Sequence, residues 1–352
     1  MSFNTFKFHP AVTAGVTAAG YTDPTPIQYR VIPSVMAKKD IIGLAQTGTG
    51  KTAAFVLPIL NRMRSGRRGV LRALIIAPTR ELAEQIHEAI ETLGRKTGLR
   101  SMAIYGGVAI GPQIERIKRA DIVVACPGRL LDHMGRKTVD LSSLEVLVLD
   151  EADHMFDMGF LPDIRRILQQ IPARRQTLLF SATMPPEIRN LAEENLSEPV
   201  MVQVGITAPA ETVSHALYPV DQNQKTPLLL KLLEQTRVGS VLVFTRTKHR
   251  AKRLSERLGR AGYKTASLQG NLSQNRRKDA IDGFRKGTYQ ILVATDIAAR
   301  GIDIANVSHV INYDIPNTAD AYIHRIGRTG RAARNGDAFT MVTEADDQIV
   351  KA

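Results

Sequence analysis

The 352-residue chain lacks the sequence features of disulfide-linked, zinc-binding, membrane-spanning and secreted proteins. It has one cysteine, Cys126, so an intrachain disulfide is excluded, as is usual for proteins of the reducing cytosol. Its eight histidines are scattered without the spacing of a zinc site. No apolar run approaches the roughly 18 residues of a membrane span, and residues 1–10 lack the layout of a secretory signal. These absences favour a cytoplasmic protein without a membrane segment.

Acidic residues are fewer than basic ones: 34 Asp and Glu stand against 47 Lys and Arg, for a formal net charge of +13. An excess of this size favours a polyanionic partner such as nucleic acid. A basic surface that is merely solvated would give the same excess, so charge alone does not decide. Aromatic residues make up only 5% of the chain and tryptophan is absent, which argues against recognition of bases by stacking.

Short apolar runs rich in β-branched residues alternate with longer amphipathic stretches along the whole chain. Continuous apolar runs indicate strands of a parallel sheet that is covered on both faces. The predicted strands are 40–46, 73–78, 122–127, 146–151, 177–183, 240–245, 265–270, 291–296, 309–314 and 338–343. Segments such as 80–94 and 249–262 are predicted as crossover helices. The predicted fold class is α/β, with two tandem doubly wound parallel-sheet domains.

A chain of this length is longer than a single hydrophobic core usually accommodates, so we expect two domains. Periodicity lapses near 205–211, where Gly, Pro and Ala gather, so we place the domains at 1–205 and 212–352, with a linker at 206–211. The final residues, ADDQIVKA, resemble the start of a helix. We therefore expect the natural protein to continue beyond them, around a monomeric core.

A glycine-rich segment, AQTGTGKT, follows the first predicted strand and opens a predicted helix. Glycines let a backbone wrap around a phosphate so that successive N–H groups point inward. Lys51 is expected to reach the β- and γ-phosphates of a nucleotide, and the Thr52 hydroxyl to ligate Mg²⁺. The alternative is a plain turn with a solvated lysine, since the strict P-loop pattern has Gly at position 45. The predicted phosphate-binding residues are Ala45, Gln46, Thr47, Gly48, Thr49, Gly50, Lys51 and Thr52.

Three acids, Asp150, Glu151 and Asp153, follow the apolar run VLVL. Like charges packed at a strand end repel and raise each other's pKa, so the cluster is expected to face a cation. In P-loop enzymes such an Asp holds the magnesium, which predicts this role for Asp150 and that of general base for Glu151. Asp153 is expected to tether the site to neighbouring loops. An acidic helix N-terminus is the alternative, although it explains one acid better than three.

The chain resembles the DEAD-box RNA helicases, and looks closest to the bacterial RhlE-type members, in seven segments that occur in the family's order. They are PTPIQ (24–28), AQTGTGKT (45–52), PTRELAEQ (78–85), DEAD (150–153), SAT (181–183), ATDIAARGID (294–303) and HRIGRTGR (324–331). The resemblance covers nearly the whole chain and implies RecA-like domains, ATP and Mg²⁺ as cofactors, and RNA as the partner. One departure is Cys126, where the family usually has Thr; a thiol is a poorer hydrogen-bond donor, which weakens the expected contact with RNA.

The resemblance implies roles for further residues of the first half. GYTDPTPIQ is similar to the adenine-reading Q motif, in which Gln28 binds the adenine edge, Tyr21 stacks on it and Phe3 matches an upstream aromatic. Ser181 and Thr183 match the segment that links the ATP state to strand separation.

Three arginines of the second half, Arg325, Arg328 and Arg331, are spaced by three, which predicts guanidinium groups on roughly one helix face. The resemblance makes Arg328 and Arg331 arginine fingers, groups that contribute about 10³–10⁵ in rate. It also places Asp303 against the ribose and makes His324 a residue that couples these loops. A solvated basic helix face is the alternative for the arginines.

The second half has no P-loop sequence, so hydrolysis is expected to need both domains, and ATP to favour their closure. Closure is expected to assemble an RNA groove whose contacts to phosphate and sugar do not depend on sequence. The residues predicted to line it are Thr79, Arg80, Gly107, Pro127, Gly128, Arg129, Thr247, Gly270 and Thr295.

The resulting prediction is an RNA-stimulated ATPase that binds single strands and unwinds short duplexes. A binding protein of another class, an ATP-gated RNA clamp whose turnover times release, would need the same motifs. A DNA translocase on the same fold is a third reading, which the Q motif and the DEAD spelling disfavour.

Overall fold

The computed structural model describes residues 2–46, 48–204, 213–235, 239–299, 307–329 and 336–351. The chain divides into two compact units, Met1–Ile206 and Thr207–Ala352, which we call unit 1 and unit 2. Each unit is an α/β domain with a RecA-like fold, built on one sheet in which the paired strands that the structure describes run parallel. The predicted linker 206–211 lies outside the described residues.

Unit 1 begins with a short 3-10 helix, Phe3–Phe6. Its strands are β1 Ile41–Ala45, β2 Ala73–Ile76, β3 Ser101–Ile104, β4 Ile122–Ala125, β5 Val146–Leu149, β6 Gln176–Ser181 and β7 Val200–Val204. Its helices are α1 Pro10–Ala18, α2 Pro26–Met36, α3 Lys51–Met63, α4 Arg80–Gly94, α5 Gly111–Ile117, α6 Pro127–Gly135, α7 Ala152–Asp157, α8 Leu161–Leu168 and α9 Pro186–Asn195. The strands lie in the order β3-β4-β2-β5-β6-β1-β7.

Unit 2 repeats this plan with a smaller sheet. Its strands are β8 Val213–Pro219, β9 Val241–Phe244, β10 Thr265–Leu268, β11 Ile291–Ala294, β12 His309–Asn312 and β13 Gly336–Val342. Its helices are α10 Lys225–Gln235, α11 Lys248–Arg260, α12 Gln274–Arg285, α13 Asp296–Ala299, α14 Ala319–Ile326 and α15 Asp347–Lys351, with a 3-10 turn at Glu344–Asp346. The strands lie in the order β10-β11-β9-β12-β13-β8.

Helices cover both faces of each sheet. In β2, Ile75 packs in one core of unit 1, with residues of α1 to α4, and the next residue, Ile76, packs in the other, with residues of α6, α8 and α9. In unit 2 the two cores contain residues of α12 and α13 on one side and of α10 and α11 on the other. Because successive side chains of a strand point to opposite faces, a doubly covered strand must be apolar throughout.

The ten predicted strands are present, and the predicted helix 80–94 matches α4 residue for residue. Three strands were not predicted: β3, β7 and β8, which are three of the four edge strands of the two sheets. β7 and β8 are largely exposed or half-buried, so their sequences lack the continuous apolar pattern.

Because the strands are parallel, their carboxyl ends lie together along one border of each sheet, which we call its carboxyl edge. The loops that follow the strands meet there. Most of the predicted site residues follow β1, β2, β4, β5, β6, β9, β10 or β11. The topology therefore places most of the predicted site residues of each unit at the carboxyl edge of its sheet. Among the described residues, no helix combines the length and apolarity that a membrane crossing needs.

Candidate active site

The loop between β1 and α3 contains the predicted phosphate-binding residues. It starts after Ala45 at the end of β1, and the Thr49 hydroxyl donates a hydrogen bond to the Gln46 carbonyl oxygen (2.8 Å). Lys51, the first residue of α3, is buried, and its Nζ donates to the Ala45 carbonyl oxygen (2.8 Å). An ammonium has three donors, so Lys51 keeps two for a phosphate. Thr52 follows in the first turn of α3.

Gly50 joins this loop to α2. Its φ of 92° lies in the left-handed region, and a Cβ at this position would lie 2.5 Å from Nε2 of Gln28. Gln28 is buried; its Oε1 accepts from the Thr25 N–H (2.9 Å) and its Nε2 donates to the Gly50 carbonyl oxygen (3.1 Å). The Gln28 amide therefore holds the start of α2 against the phosphate loop, and retains one N–H donor for a ligand.

The two predicted aromatic residues lie together in unit 1. The rings of Phe3 and Tyr21 are stacked, with centroids 6.0 Å apart. Phe3 is buried and also contacts Phe6, whereas Tyr21 is 41% exposed. Tyr21 is thus the ring that a ligand can reach, and Phe3 supports it from behind.

Asp150 follows β5 and is buried beside other charges. Burial raises the pKa of its carboxyl to about 7; the Lys51 ammonium opposes this rise in pKa and the neighbouring Glu151 carboxylate adds to it. Its Oδ1 accepts a hydrogen bond from the Glu151 N–H (3.0 Å). A desolvated carboxyl near like charges is an acid that a cation would stabilise in its ionised form.

Glu151 lies next to Asp150 with a left-handed backbone, φ 52° and ψ 55°, and caps the N-terminus of α7. Its Oε2 lies 3.2 Å from Nδ1 of His154, and both residues are buried. The sequence pattern did not single out His154. Its one signal was position, because a residue three after another on a helix lies on the same side of it.

Asp153 connects the acidic cluster to the segment that follows β6. Its Oδ2 accepts hydrogen bonds from the N–H groups of Ala182 (3.1 Å) and Thr183 (3.0 Å) and from the Thr183 hydroxyl (3.2 Å). In return, the Asp153 N–H donates to the Ser181 hydroxyl oxygen (3.2 Å). The two segments therefore move as one piece unless these four hydrogen bonds break.

The RNA-binding residues predicted in unit 1 lie after β2, β3 and β4. Thr79 caps α4 by accepting the Leu82 N–H (3.2 Å). Gly107 has a φ of 78°, and a Cβ there would overlap the guanidinium of Arg80. Nη2 of Arg129 donates to the Val108 carbonyl oxygen (3.0 Å), so the loop after β3 lies between these two arginines.

Pro127 and Gly128 form the first turn of α6, which Cys126 precedes. Burial raises the pKa of the Cys126 thiol to about 12, with a further rise from the Glu81 carboxylate. No cap hydrogen bond is made by the Cys126 side chain. The neutral thiol packs against the core of unit 1.

The RNA-binding residues predicted in unit 2 follow three neighbouring strands. Thr247 follows β9 and caps α11 by accepting the Arg250 N–H (3.2 Å). Gly270 follows β10, with open space where a Cβ would lie. Thr295 follows β11, and its carbonyl oxygen accepts from the Ala298 N–H (3.0 Å). These strands are adjacent in the sheet, which places the three residues along one edge.

The prediction that three arginines share a helix face is wrong for Arg328. α14 ends at Ile326, and the Arg328 N–H donates to the Arg325 carbonyl oxygen (3.2 Å) in the turn that follows. Arg325 is buried and binds both carboxylate oxygens of Asp296 (2.5 and 2.7 Å), so it fixes α14 in place. Thr47, Asp303, Arg331 and the His324 side chain lie outside the described residues.

The donors around Asp150 fit a magnesium ion that arrives with a nucleotide. Carboxylate and hydroxyl oxygens are the ligands this ion prefers, and it is commonly held by one or two protein groups together with phosphates. In the part of the chain that the structure describes, no three His, Cys, Asp or Glu side chains are arranged to hold a metal by themselves.

Comparison with known proteins gives matches across both units. A family model described as "DEAD/DEAH box helicase" matches residues 25–191, and one described as "Helicase conserved C-terminal domain" matches residues 224–333. The DEAD-box ATP-dependent RNA helicase RhpA of Helicobacter pylori is 43% identical over 344 residues, which cover 97% of this chain and 70% of RhpA. The DEAD-box ATP-dependent RNA helicase CshA of Bacillus licheniformis is 43% identical over 356 residues, with 100% and 72% covered.

Solved structures give the same result. S. cerevisiae Dbp5 bound to RNA and ADP BeF3 matches with a TM-score of 0.89 and 32% identity, over 99% of this chain and 92% of Dbp5. A DEAD box protein from the hyperthermophile Methanococcus jannaschii matches with a TM-score of 0.57 and 37% identity, over 100% and 95%. The chain therefore belongs to the DEAD-box ATP-dependent RNA helicases, which are ATP-hydrolysing enzymes.

Proposed function

We propose that this helicase binds RNA without regard to sequence, unwinds short duplexes when ATP closes its two units, and resets by hydrolysing ATP. The observation that carries the proposal is the hydrogen-bonded link between Asp153 and the segment from Ser181 to Thr183. It joins the acids beside the phosphate loop to a neighbouring strand end. A conformational change at the nucleotide can therefore be transmitted from the acids after β5 to the segment after β6 through these hydrogen bonds.

In unit 1 each residue near the nucleotide has a distinct task. Tyr21 stacks on the adenine and the remaining Gln28 N–H donates to its edge, while the loop from 45 to 52 and Lys51 bind the phosphates. Thr52 and Asp150 would hold Mg²⁺, which when bound neutralises phosphate charge. Glu151 acts as the general base that orients and deprotonates the attacking water.

In unit 2 the residues predicted for catalysis complete the reaction. Arg328 and Arg331 stabilise the charge on the transferring phosphate, Asp303 contacts the ribose, and His324 couples these loops. Support for a second contribution comes from the sequence, because unit 2 has no phosphate loop of its own. Dbp5 in the matched structure is bound to RNA and ADP BeF3, which supports simultaneous binding of nucleotide and RNA.

RNA binding by the residues that follow β2, β3, β4, β9, β10 and β11 would be independent of sequence. Threonine hydroxyls, glycine backbone and arginines are groups that contact phosphate and ribose. We further propose that the protein acts as a monomer in the cytoplasm and is of the RhlE type.

The substitution Arg328→Ala tests the shared reaction. We expect the RNA-stimulated ATPase rate to fall by about 10³-fold, because an arginine that stabilises transition-state charge contributes this much. Arg328 is buried, so Arg328→Lys, which keeps the charge, and a thermal unfolding measurement separate catalysis from misfolding. The exposed Arg253→Ala in the same unit is the control. Full RNA-stimulated turnover in a folded Arg328→Ala protein would contradict the mechanism.

A further inference from the structure

His154 is buried next to the residue that we assign as the general base. It lies in the first turn of α7 and is only 5% exposed. Its Nδ1 is 3.2 Å from Oε2 of Glu151. A general base is ionised before it takes a proton and can then only accept hydrogen bonds, so the proposed role of Glu151 requires Nδ1 of His154 to be the donor in this contact. Nε2 of His154 has no hydrogen-bond partner among the residues that the structure describes.

The backbone of Glu151 gives this contact a purpose. With φ 52°, Glu151 starts from a left-handed conformation that side-chain-bearing residues rarely adopt. Its side chain has three rotatable bonds, and several rotamers would be open to it if nothing held the carboxylate. A hydrogen bond to one oxygen restricts the rotation of the carboxylate and reduces the number of rotamers that the side chain can adopt. To act as a general base, the Glu151 carboxylate must have an oxygen within hydrogen-bond reach of the attacking water.

We propose that His154 is a positioning residue for the ATPase reaction, which holds the Glu151 carboxylate in the orientation that activates water. The inference rests on the proposed role of Glu151. It predicts an effect on the chemical step and little effect on ATP binding, because His154 contacts the base rather than the phosphate loop.

The alternative is a purely structural role, in which His154 only packs and forms a local hydrogen bond. Unit 1 contains a second buried histidine, which serves as a matched control. His133 is fully buried in α6, its Nδ1 lies 2.8 Å from the Thr138 hydroxyl oxygen, and its Nε2 also has no hydrogen-bond partner in the described part of the chain. His133 is buried like His154 and also has one hydrogen-bonded ring nitrogen, but the partner of its Nδ1 is a hydroxyl and not an acid.

Three substitutions at position 154 separate positioning from packing. Asn places its amide nitrogen where Nδ1 lies, Gln places its amide nearer to Nε2, and Leu fills the space without a donor. Steady-state ATPase kinetics with saturating RNA would be measured for the full chain, with thermal unfolding of each variant. We expect His154→Leu and His154→Gln to lower kcat by about 10–100-fold, with KM for ATP changed less than about 3-fold. His154→Asn should recover most of kcat.

His133→Leu should lower the unfolding temperature but leave kcat per folded molecule within about 2-fold of the parent. Wild-type kcat in a folded His154→Leu protein, or no recovery by Asn, would overturn the inference. Glu151→Gln distinguishes failure of the proposed role of His154 from failure of the proposed role of Glu151. If it keeps full turnover, the assignment of the base is wrong; if it loses turnover while His154→Leu keeps it, only the role of His154 is wrong.

Discussion

At the scale of single residues, Asp150 shows how the site stores unfavourable charge. Its pKa is about 7 in the folded chain, against about 3.9 for an unfolded Asp. The folded state therefore binds a proton more tightly than the unfolded state between these two values. Stability must fall as pH rises through this window, because the ionised form is penalised only when folded. A bound cation would remove the penalty.

The substitution Asp150→Asn tests this stored energy. For the nucleotide-free protein we expect the free energy of unfolding to rise by up to about 4 kcal/mol at pH 8, since Asn has no charge to desolvate. The gain should be about 2–3 kcal/mol smaller at pH 5, where Asp150 is already protonated in the folded state. Denaturant unfolding at both pH values measures it, and ATPase activity should be lost. An equal gain at the two pH values would contradict the pKa assignment.

Residue-level sequence patterns predicted the acids and the tether through Asp153, but not the partner of Glu151. The spacing of DEAD after an apolar strand is enough to place Asp150, Glu151 and Asp153 at a sheet edge. The pairing of His154 with Glu151 depends on a left-handed backbone, which no local pattern signals in a residue other than glycine. The spacing of the arginines suggested a continuous helix, but the chain turns after Ile326.

At the scale of elements, the loop between β1 and α3 depends on glycine for two separate reasons. Gly50 has a left-handed backbone, and a side chain there would also strike Gln28. Gly98, after α4, has φ 71° but open space around it. The pair separates the cost of backbone conformation from the cost of steric contact.

We expect Gly98→Ala to lower the free energy of unfolding by about 1–2 kcal/mol for the left-handed conformation alone, and Gly50→Ala to lower it by more, because its Cβ must also displace the buried Gln28. Only Gly50→Ala should weaken ATP binding, by at least about 10-fold, because the Cβ displaces Gln28 and the phosphate loop together. Titration with a fluorescent ATP analogue and thermal unfolding provide the two readouts. ATP binding that weakens equally in both variants would show that steric contact at Gly50 is unimportant.

Element prediction succeeded where both faces of a strand are buried. The interior strands are read correctly because burial on two sides forces an apolar run. β3, β7 and β8 were missed because an edge strand is paired on one side only and its burial is incomplete. β10 is also an edge strand and only partly buried, and it was predicted. The identity of β3, β7 and β8 depends on tertiary pairing, for which the sequence carries a weak signal.

At the scale of the whole molecule, excess positive charge and scarce aromatic residues suggest how RNA is held. An excess of 13 positive charges attracts any polyanion, and a 5% aromatic content offers few stacking surfaces for bases. Under the proposed function, the protein distinguishes RNA from DNA by contacts to the sugar–phosphate backbone. The 2′-hydroxyl is the group by which a protein distinguishes RNA from DNA on that backbone.

ATPase stimulation by single strands of matched length tests this view. Poly(A), poly(U) and mixed RNA should stimulate within about 3-fold of one another, because backbone contacts carry no sequence information. DNA of the mixed sequence should stimulate at least about 10-fold less, because each lost 2′-hydroxyl contact weakens binding. Equal stimulation by DNA and RNA would favour a DNA translocase, and no stimulation by RNA would exclude the proposed function.

The left-handed backbone of Glu151 carries a consequence for protein engineering. A glycine at this position would relieve a strain of roughly 1–2 kcal/mol, yet it would delete the proposed base. That substitution would also leave the buried His154 without its partner, so the relief of backbone strain and the lost contact oppose each other. A selection for heat resistance at this position must therefore score turnover as well, because any stabilised glycine variant would be inert.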